Sequence, residues 1–297
     1  MPAYNAEAFI ADSIQSVILQ TYPHWELIVV DDGSTDQTAA VIKKIQLHEP
    51  RIKYIFQKNG KQAKARNTAI AASNGQYIAF LDADDLWTPD KLALQVNEMQ
   101  ADENIDLLFS NGYRLNGDTA EPFYAVAVKD EWTSADLPLF ISGNQIPVPS
   151  VLVKKQVLTA VNGFAEAAEI QNCEDYHLWL KLLINGCRFK SVPLQLFYYR
   201  VHAGQSTYQN TNTSLPVFYT LADVFFLTKD AAIRKLLIEK LKWYVFKKEV
   251  YKKCLQLFSA YLKTRHLNIF AVFIKHFLVS PTLLNQKIAF KMISIWG

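Results

Sequence analysis

Two short apolar runs near the start of the chain each end in a cluster of carboxylates. Glu26 to Val30 runs into Asp31-Asp32-Gly33-Ser34, and Tyr77 to Leu81 runs into Asp82-Ala83-Asp84-Asp85. Both runs are rich in β-formers and bounded by turn residues, so both read as buried strands. Helical patterns lie between them: Phe9, Ile10, Ile14, Val17 and Ile18 form one stripe with Asn5 as its cap. Val41, Ile42 and Ile45 form a second behind Ser34 or Thr35, and Ala63 to Ile70 belong to a third. Ile52 to Phe56 is a further strand, Pro89 to Gln100 a further helix and 106–109 another strand. Strands alternating with helices at this spacing predict βαβ units and a mostly parallel sheet. In such a sheet the carboxyl ends share one edge, where ligands bind, so the two acidic clusters converge.

The chemistry of that edge is narrow. Asp82 and Asp84 are two positions apart, and on an extended backbone they face one side. Paired hard oxygens suit Mg²⁺ or Mn²⁺, which also bind substrate phosphates. The competing reading is a loop that caps the helix opened by Pro89, with Asp85 or Thr88 at the N-cap. Neither GxGxxG nor GxxxxGK[ST] occurs in the sequence. A nucleotide would therefore need a metal to hold its phosphates, and the acids supply its site.

Further along, 112–147 is broken by Gly, Asn, Pro and Thr and reads as loops with short strands facing an acceptor, and Val148 to Val153 reads as a strand. Glu174 to Leu183 reads as a helix with acids in its first turn, where the helix dipole favours the ionised form. Asp175 there is a candidate general base; simple N-capping is the alternative. No Ser-His-Asp or Cys-His order suggests a covalent nucleophile. Cys173, Cys187 and Cys254 make an odd set without a CxxC, which fits a reducing compartment rather than a disulfide framework or zinc site. Neither a signal peptide nor an uncharged run of 18 apolar residues occurs, so a cytoplasmic location is expected.

Together these motifs resemble the family 2 glycosyltransferases, an inverting group with the GT-A fold. The resemblance rests on Pro2-Ala3-Tyr4-Asn5-Ala6-Glu7, Gln20-Thr21-Tyr22-Pro23, Glu26 to Asp36, Ala65-Arg66-Asn67-Thr68-Ala69-Ile70, Gly75 to Asp85, Asn162-Gly163-Phe164, Glu174-Asp175 and Tyr199-Arg200-Val201-His202. It implies a Rossmann-like mixed α/β sheet flanked by helices over 1–205, with a nucleotide-binding half to about 105 and an acceptor half from 106. Residues 206–297 form a helical C-terminal extension. The resemblance also implies roles. Pro2, Ala3 and Tyr4 line the nucleotide pocket, and Asp31 and Asp32 bind the uracil or ribose. Asp82 and Ala83 belong to the donor site, and Arg66 lies on the donor side. Asp85 faces the donor sugar. Asp84, with Asp82, holds Mn²⁺ or Mg²⁺, and His202 approaches the metal or diphosphate. Asp175 deprotonates the acceptor. The implied reaction moves a sugar from a nucleotide-diphosphate sugar, UDP-linked by expectation, to a saccharide or lipid-linked acceptor in surface polysaccharide or glycolipid synthesis. A scaffold module of the same fold and a nucleotidylyltransferase are the rivals. The latter usually carries a Gly-rich basic loop where this chain has Pro2-Ala3-Tyr4-Asn5. One departure stands out: the family pattern places an apolar strand directly before this segment, at the sheet centre, where this sequence has only Met1. Without that strand its neighbours are expected to be exposed.

The tail differs in charge. Residues 229–297 hold 14 Lys/Arg against 3 Asp/Glu, a net +11, whereas 1–228 hold 17 against 25, a net −8. Leu215 to Leu227 and Arg234 to Leu262 read as helices, the second with an apolar stripe through Leu237, Leu241, Tyr244, Tyr251, Leu255, Phe258 and Leu262. A basic amphipathic helix of this kind either lies on an anionic membrane surface or packs its stripe on the catalytic body. The resemblance tips the reading toward peripheral attachment at the inner face of the cytoplasmic membrane. No RNA- or DNA-binding motif accompanies the basic residues, so nucleic acid is not an expected partner.

Overall fold

The computed structural model describes residues 1–123, 129–205 and 214–245. Its strands form two sheets. In the first, β1 (Pro2–Ala3), β2 (Leu27–Asp31) and β3 (Ile52–Phe56) run parallel in that order, with Ala3 opposite Asp31 and Asp31 opposite Phe56. All five residues of β2 are buried, and its apolar run Leu27 to Val30 is what a strand covered on both faces requires. Helices α1 (Ile10–Ile18), α2 (Thr38–Gln46) and α3 (Lys61–Ala72) are the crossovers.

The second sheet is mixed, where the spacing of elements predicted a mostly parallel one. Its order is β4 (Tyr77–Ala79), β8 (Leu152–Lys154), β6 (Leu107–Asn116), β9 (Phe189–Arg200) and β5 (Leu86–Trp87), with β7 (Thr119–Phe123) paired to β6. Within it, β6 and β9 are parallel and the other pairs antiparallel. The β6–β7 hairpin lies partly within 112–147, the stretch read as loops with short strands. Residues Val148–Ser150 form a 3₁₀ turn, and the strand follows at Leu152. Gly112 is required on β6, because a Cβ there would lie 2.5 Å from the Phe197 ring of β9.

Between the two sheets lies an apolar cavity of about 250 Å³, lined by Leu27 and Ile28 of β2 and by Tyr77, Ile78 and Ala79 of β4. Among the described residues β4 pairs only with β8, so its other edge is open on this side. The Met1 ammonium donates to the Ile28 carbonyl at 2.8 Å, and burial pushes its pKa down to about 5. This is the sheet-centre position at which the sequence pattern calls for an apolar strand.

Three expected caps are replaced. Helix α1 begins only at Ile10, and Asn5 instead adopts a left-handed φ of 48°. Helix α2 begins at Thr38 behind Gln37, past Ser34 and Thr35. In α4 (Lys91–Ala101) neither Thr88 nor Asp85 caps: the Thr88 hydroxyl donates to the Leu196 carbonyl and the Asp85 carboxylate accepts from the Arg200 N–H. In each case a long-range hydrogen bond outcompetes the local cap.

The remaining described helices are α5 (Leu137–Ser142), α6 (Lys155–Ala160), α7 (Glu174–Ile184), α8 (Ser214–Leu227) and α9 (Ala231–Val245). Leu178 and Leu182 of α7 share one core with Phe218 and Leu221 of α8 and with Leu237 and Leu241 of α9. The His177 Nε2 lies 2.7 Å from Asp223 Oδ2. The described part of the tail therefore packs on the helix that carries Asp175. Residues 246–262 of the predicted long helix lie outside the described residues. Among the described residues no helix is long and apolar enough to cross a membrane.

Candidate active site

The loop after β1 is laced to the loop after β2. Asn5 Oδ1 accepts from the Thr35 N–H at 2.8 Å, and the Asn5 N–H donates to Ser34 Oγ at 3.0 Å. Asp32 holds the next loop: its Oδ1 accepts from Gln57 Nε2 at 2.7 Å and from Gly60 N–H at 2.8 Å, and its Oδ2 from Lys61 N–H at 2.8 Å. These loops border a cavity of about 580 Å³ whose walls include Pro2, Ala3, Tyr4, Asp32, Asp82, Ala83, Asp84 and His202. Asn5, Lys61 and Asn172, which line it too, all have positive φ (48°, 71° and 66°). Strained backbone of this kind concentrates where a fold shapes a ligand site.

The acidic loop after β4 is fixed from several sides. Ser13 Oγ donates to the Ala83 carbonyl at 2.8 Å, and the Asp85 N–H to the Asp82 carbonyl at 3.2 Å. Arg66 donates to Asp82 Oδ1 at 2.7 Å, and His202 Nε2 lies 3.0 Å from Asp84 Oδ2. The His202 ring also packs on Phe9, with centroids 4.3 Å apart. Burial, and then the neighbouring Asp82 charge, raise the pKa of Asp84; burial and the charges of Asp84 and Asp82 push Asp85 well above the usual carboxylate range. Like charges held this close call for a cation. The hard carboxylate oxygens fit Mg²⁺ or Mn²⁺, as an incomplete shell that phosphate and water would fill. Among the described residues no three His, Cys, Asp or Glu side chains form a ready metal cage.

A second cavity, of about 330 Å³, adjoins the first and is lined by Asp82, Asp84 and Asp85 together with Glu174 and Asp175 at the start of α7. Asn144 Nδ2 donates to Asp175 Oδ2 at 2.8 Å. Burial, and next the charge of Glu174, raise Asp175 to about 6. Arg66 completes this wall, because its other amino group donates to Glu174 Oε1 at 2.8 Å. The next residue on α3, Asn67, accepts from the Phe164 N–H and donates to the Phe164 carbonyl, both at 2.9 Å. The motifs around Arg66 and around Asn162-Gly163-Phe164 are thus the two halves of one joint that seats α7.

Of the residues singled out in the sequence, Pro2, Ala3, Tyr4, Asp32, Asp82, Ala83, Asp84 and His202 meet at the larger cavity, and Arg66, Asp85 and Asp175 at the smaller. Asp31 lines neither: its carboxylate accepts from the Ser34 N–H at 2.9 Å and the Tyr54 hydroxyl at 2.8 Å, and it is buried beneath the loop. Sequence reading missed Asn144, Gln62 and Asn172. Asn144 is brought to Asp175 by tertiary contact alone; for Asn172 the signal was its place just ahead of the acids of α7.

The family model for glycosyl transferase family 2 matches residues 1–126. The UDP-Glc:alpha-D-GlcNAc-diphosphoundecaprenol beta-1,3-glucosyltransferase WfgD of Escherichia coli is 35% identical over 184 residues, covering 62% of this chain and 68% of that protein. The chain belongs to glycosyl transferase family 2. It is a glycosyltransferase. A second E. coli enzyme named for the same activity, WfaP, is 33% identical over 203 residues, 68% of this chain and 76% of its own. In three dimensions the glycosyltransferase resembles S. aureus TarS residues 1–349 in complex with UDP-GlcNAc, with a TM-score of 0.68 at 21% identity over 86% of this chain and 74% of that one. It also resembles the mannosyltransferase PcManGT of Pyrobaculum calidifontis, described in complex with GDP-Man and Mn²⁺, with a TM-score of 0.61 at 17% identity over 96% and 80%. These likenesses establish the GT-A fold.

Proposed function

We propose that this glycosyltransferase transfers a sugar, with inversion, from a UDP-sugar to a hydroxyl of a lipid-linked or saccharide acceptor in cell-surface polysaccharide synthesis. The observation that carries this reading is one continuous wall. Asp82 and Asp84 lie where the two cavities meet, and Asp175, steadied by Asn144, faces the second cavity alone. In the larger cavity Pro2, Ala3, Tyr4 and Asp32 border the nucleotide. A bound Mn²⁺ or Mg²⁺ would be held by Asp84 and Asp82, beside His202, and would neutralise charge developing on the leaving diphosphate. Asp175 accepts the proton of the acceptor hydroxyl as its oxygen bonds to the anomeric carbon and the bond to the diphosphate breaks. Arg66 holds Asp82 and the start of α7 in register, and Asp85 closes the sugar side. Asp31 serves as a support beneath the nucleotide loop. The names of the E. coli relatives, which specify a UDP-Glc donor and a diphosphoundecaprenol-linked acceptor, support the donor and acceptor classes.

Residues 1–205 are read as the catalytic unit. The basic residues of 229–297, net +11, are read as an attachment to an anionic membrane surface where lipid-linked acceptors reside. Release of UDP from UDP-sugars in the presence of Mn²⁺ tests the activity. It should fall by at least about 100-fold in Asp84→Ala and in Asp175→Asn. Turnover equal to wild type in both variants would reject the assignment.

A further inference from the structure

The two cavities share Gln62, Asp82, Asp84, Asn172 and Gln205. On the proposed reading, on which this inference rests, the donor sugar must sit at that junction. Its anomeric carbon is bonded to a diphosphate held on one side and must be reached from Asp175 on the other. Three of the shared residues are already engaged. Asp82 is held by Arg66 and Asp84 by His202, while Gln205 donates to the Arg200 carbonyl and accepts from the His202 N–H. Gln62 and Asn172 are half-buried, and their side-chain amides have no hydrogen-bond partner among the described residues. Gln62 is presented by the first turn of α3. Asn172 is held at a φ of 66° between a 3₁₀ turn and α7, with the Cys173 N–H donating to the Ile170 carbonyl at 2.9 Å.

We propose that Gln62 and Asn172 read the donor sugar, and that this sugar is a neutral pyranose rather than a uronic acid. Each amide offers two N–H donors and a carbonyl acceptor, which matches hydroxyl and acetamido groups. The charged groups lining the smaller cavity are Asp82, Asp84, Asp85, Glu174 and Asp175 against Arg66, whose guanidinium is already engaged by Asp82 and Glu174; Lys61, Asp32 and His202 lie on the nucleotide side, in the lining of the larger cavity. A sugar carboxylate turned toward Asp175 would meet like charge, and among the described residues lining the smaller cavity the one cation, Arg66, is already paired. Neutral hydroxyls meet two open amides.

The test uses the full chain with Mn²⁺ and two readouts, UDP binding by calorimetry and UDP release from UDP-glucose, UDP-galactose, UDP-N-acetylglucosamine and UDP-glucuronic acid. The wild type is expected to turn over a neutral donor at least about 100-fold better than UDP-glucuronic acid, since missing partners and like charges at a polar site discriminate strongly. Gln62→Ala and Asn172→Ala should each lose about three- to tenfold in kcat/KM on the preferred neutral donor, the worth of one neutral hydrogen bond. They should narrow the spread among neutral sugars while leaving UDP affinity within about twofold. Gln62→Arg guards against a mere folding defect, because it should raise the ratio of UDP-glucuronic acid to UDP-glucose turnover by about tenfold. A preference for UDP-glucuronic acid in the wild type overturns the inference. So do unchanged sugar ratios in all three variants with UDP binding intact. No UDP binding and no turnover of any donor would overturn the parent reading, and this inference with it.

Discussion

Arg66 and Glu174, 108 positions apart in the chain, meet at 2.8 Å with both side chains almost fully buried. The same guanidinium holds Asp82 at 2.7 Å, so one side chain joins the loop after β4 to the start of α7. Its Nε and the Glu174 Oε2 have no partner among the described residues, which leaves the pair incompletely satisfied. Removing the cation would strand buried carboxylates. Arg66→Met is expected to destabilise the fold by about 3–5 kcal/mol, whereas Glu174→Gln, which keeps a hydrogen-bond acceptor for Arg66, should lose less. Urea unfolding monitored by fluorescence measures both. An Arg66→Met protein within about 1 kcal/mol of wild type, less than the usual loss of one buried hydrogen bond, would contradict this account.

The pH dependence of turnover follows from Asp175. Burial and the Glu174 charge raise its pKa to about 6. A base works in its deprotonated form, so kcat/KM should climb with unit slope as pH rises through about 6 and level off above it. Glu174→Gln removes a charge that disfavours ionisation, and its inflection should move to lower pH. Asn144→Ala removes a donor that favours the carboxylate; its inflection should move to higher pH, with kcat reduced about tenfold. A profile flat from about pH 5 to pH 8 in the wild type would rule out Asp175 as the titrating base.

The acidic loops were legible because they are local: an apolar run, a turn and the carboxylates follow one another in sequence, and βα order brings their ends together. The strand β9 was not. Its pairing with β6 joins residues about 80 positions apart, and only the Tyr199-Arg200-Val201-His202 motif marked its end. Local chemistry misled where a distant partner outbid it. Asn5 looked like a cap but accepts from the Thr35 N–H, and Thr88 turns to the Leu196 carbonyl. Asp31 shows the same limit in the site, since a tyrosine 23 positions away decides that its carboxylate supports the loop and does not line the cavity.

Lys91 lies outside the chemistry but fully inside the core. Its ammonium sits 4.5 Å from the Trp87 ring centroid and donates to Gln95 Oε1, and burial lowers its pKa to about 7. The folded pKa lies below the unfolded value near 10.5, so its favourable contribution is present above that value. It is lost progressively as pH falls toward 7. The loss amounts to a few kcal/mol at most. Lys91→Met is expected to flatten the dependence of melting temperature on pH between about 7 and 10, and to raise the melting temperature below pH 7. Identical pH–stability curves for variant and wild type would refute the buried-charge account.

The cavity between β2 and β4 makes the last prediction. Its two edges present Leu27 and Ile28 on one side and Tyr77 to Ala79 on the other, and β1 reaches only its end, with Pro2 opposite Val30. A parallel strand leading into Pro2 would continue this register past Ile28 and offer its second edge to β4. Four or five residues at about 3.3 Å each span the distance along β2. Each Val or Ile so buried contributes about 1.5–3 kcal/mol, against about 1–2 kcal/mol for ordering its backbone, and the newly paired edges add hydrogen bonds. A version of the protein with four or five Val/Ile residues placed ahead of Met1 should give more soluble material. It should melt several degrees higher, whereas an extension of alternating Lys and Gly should do neither. Equal yield and equal melting temperature with and without the apolar extension would mean that the cavity does not accept a strand.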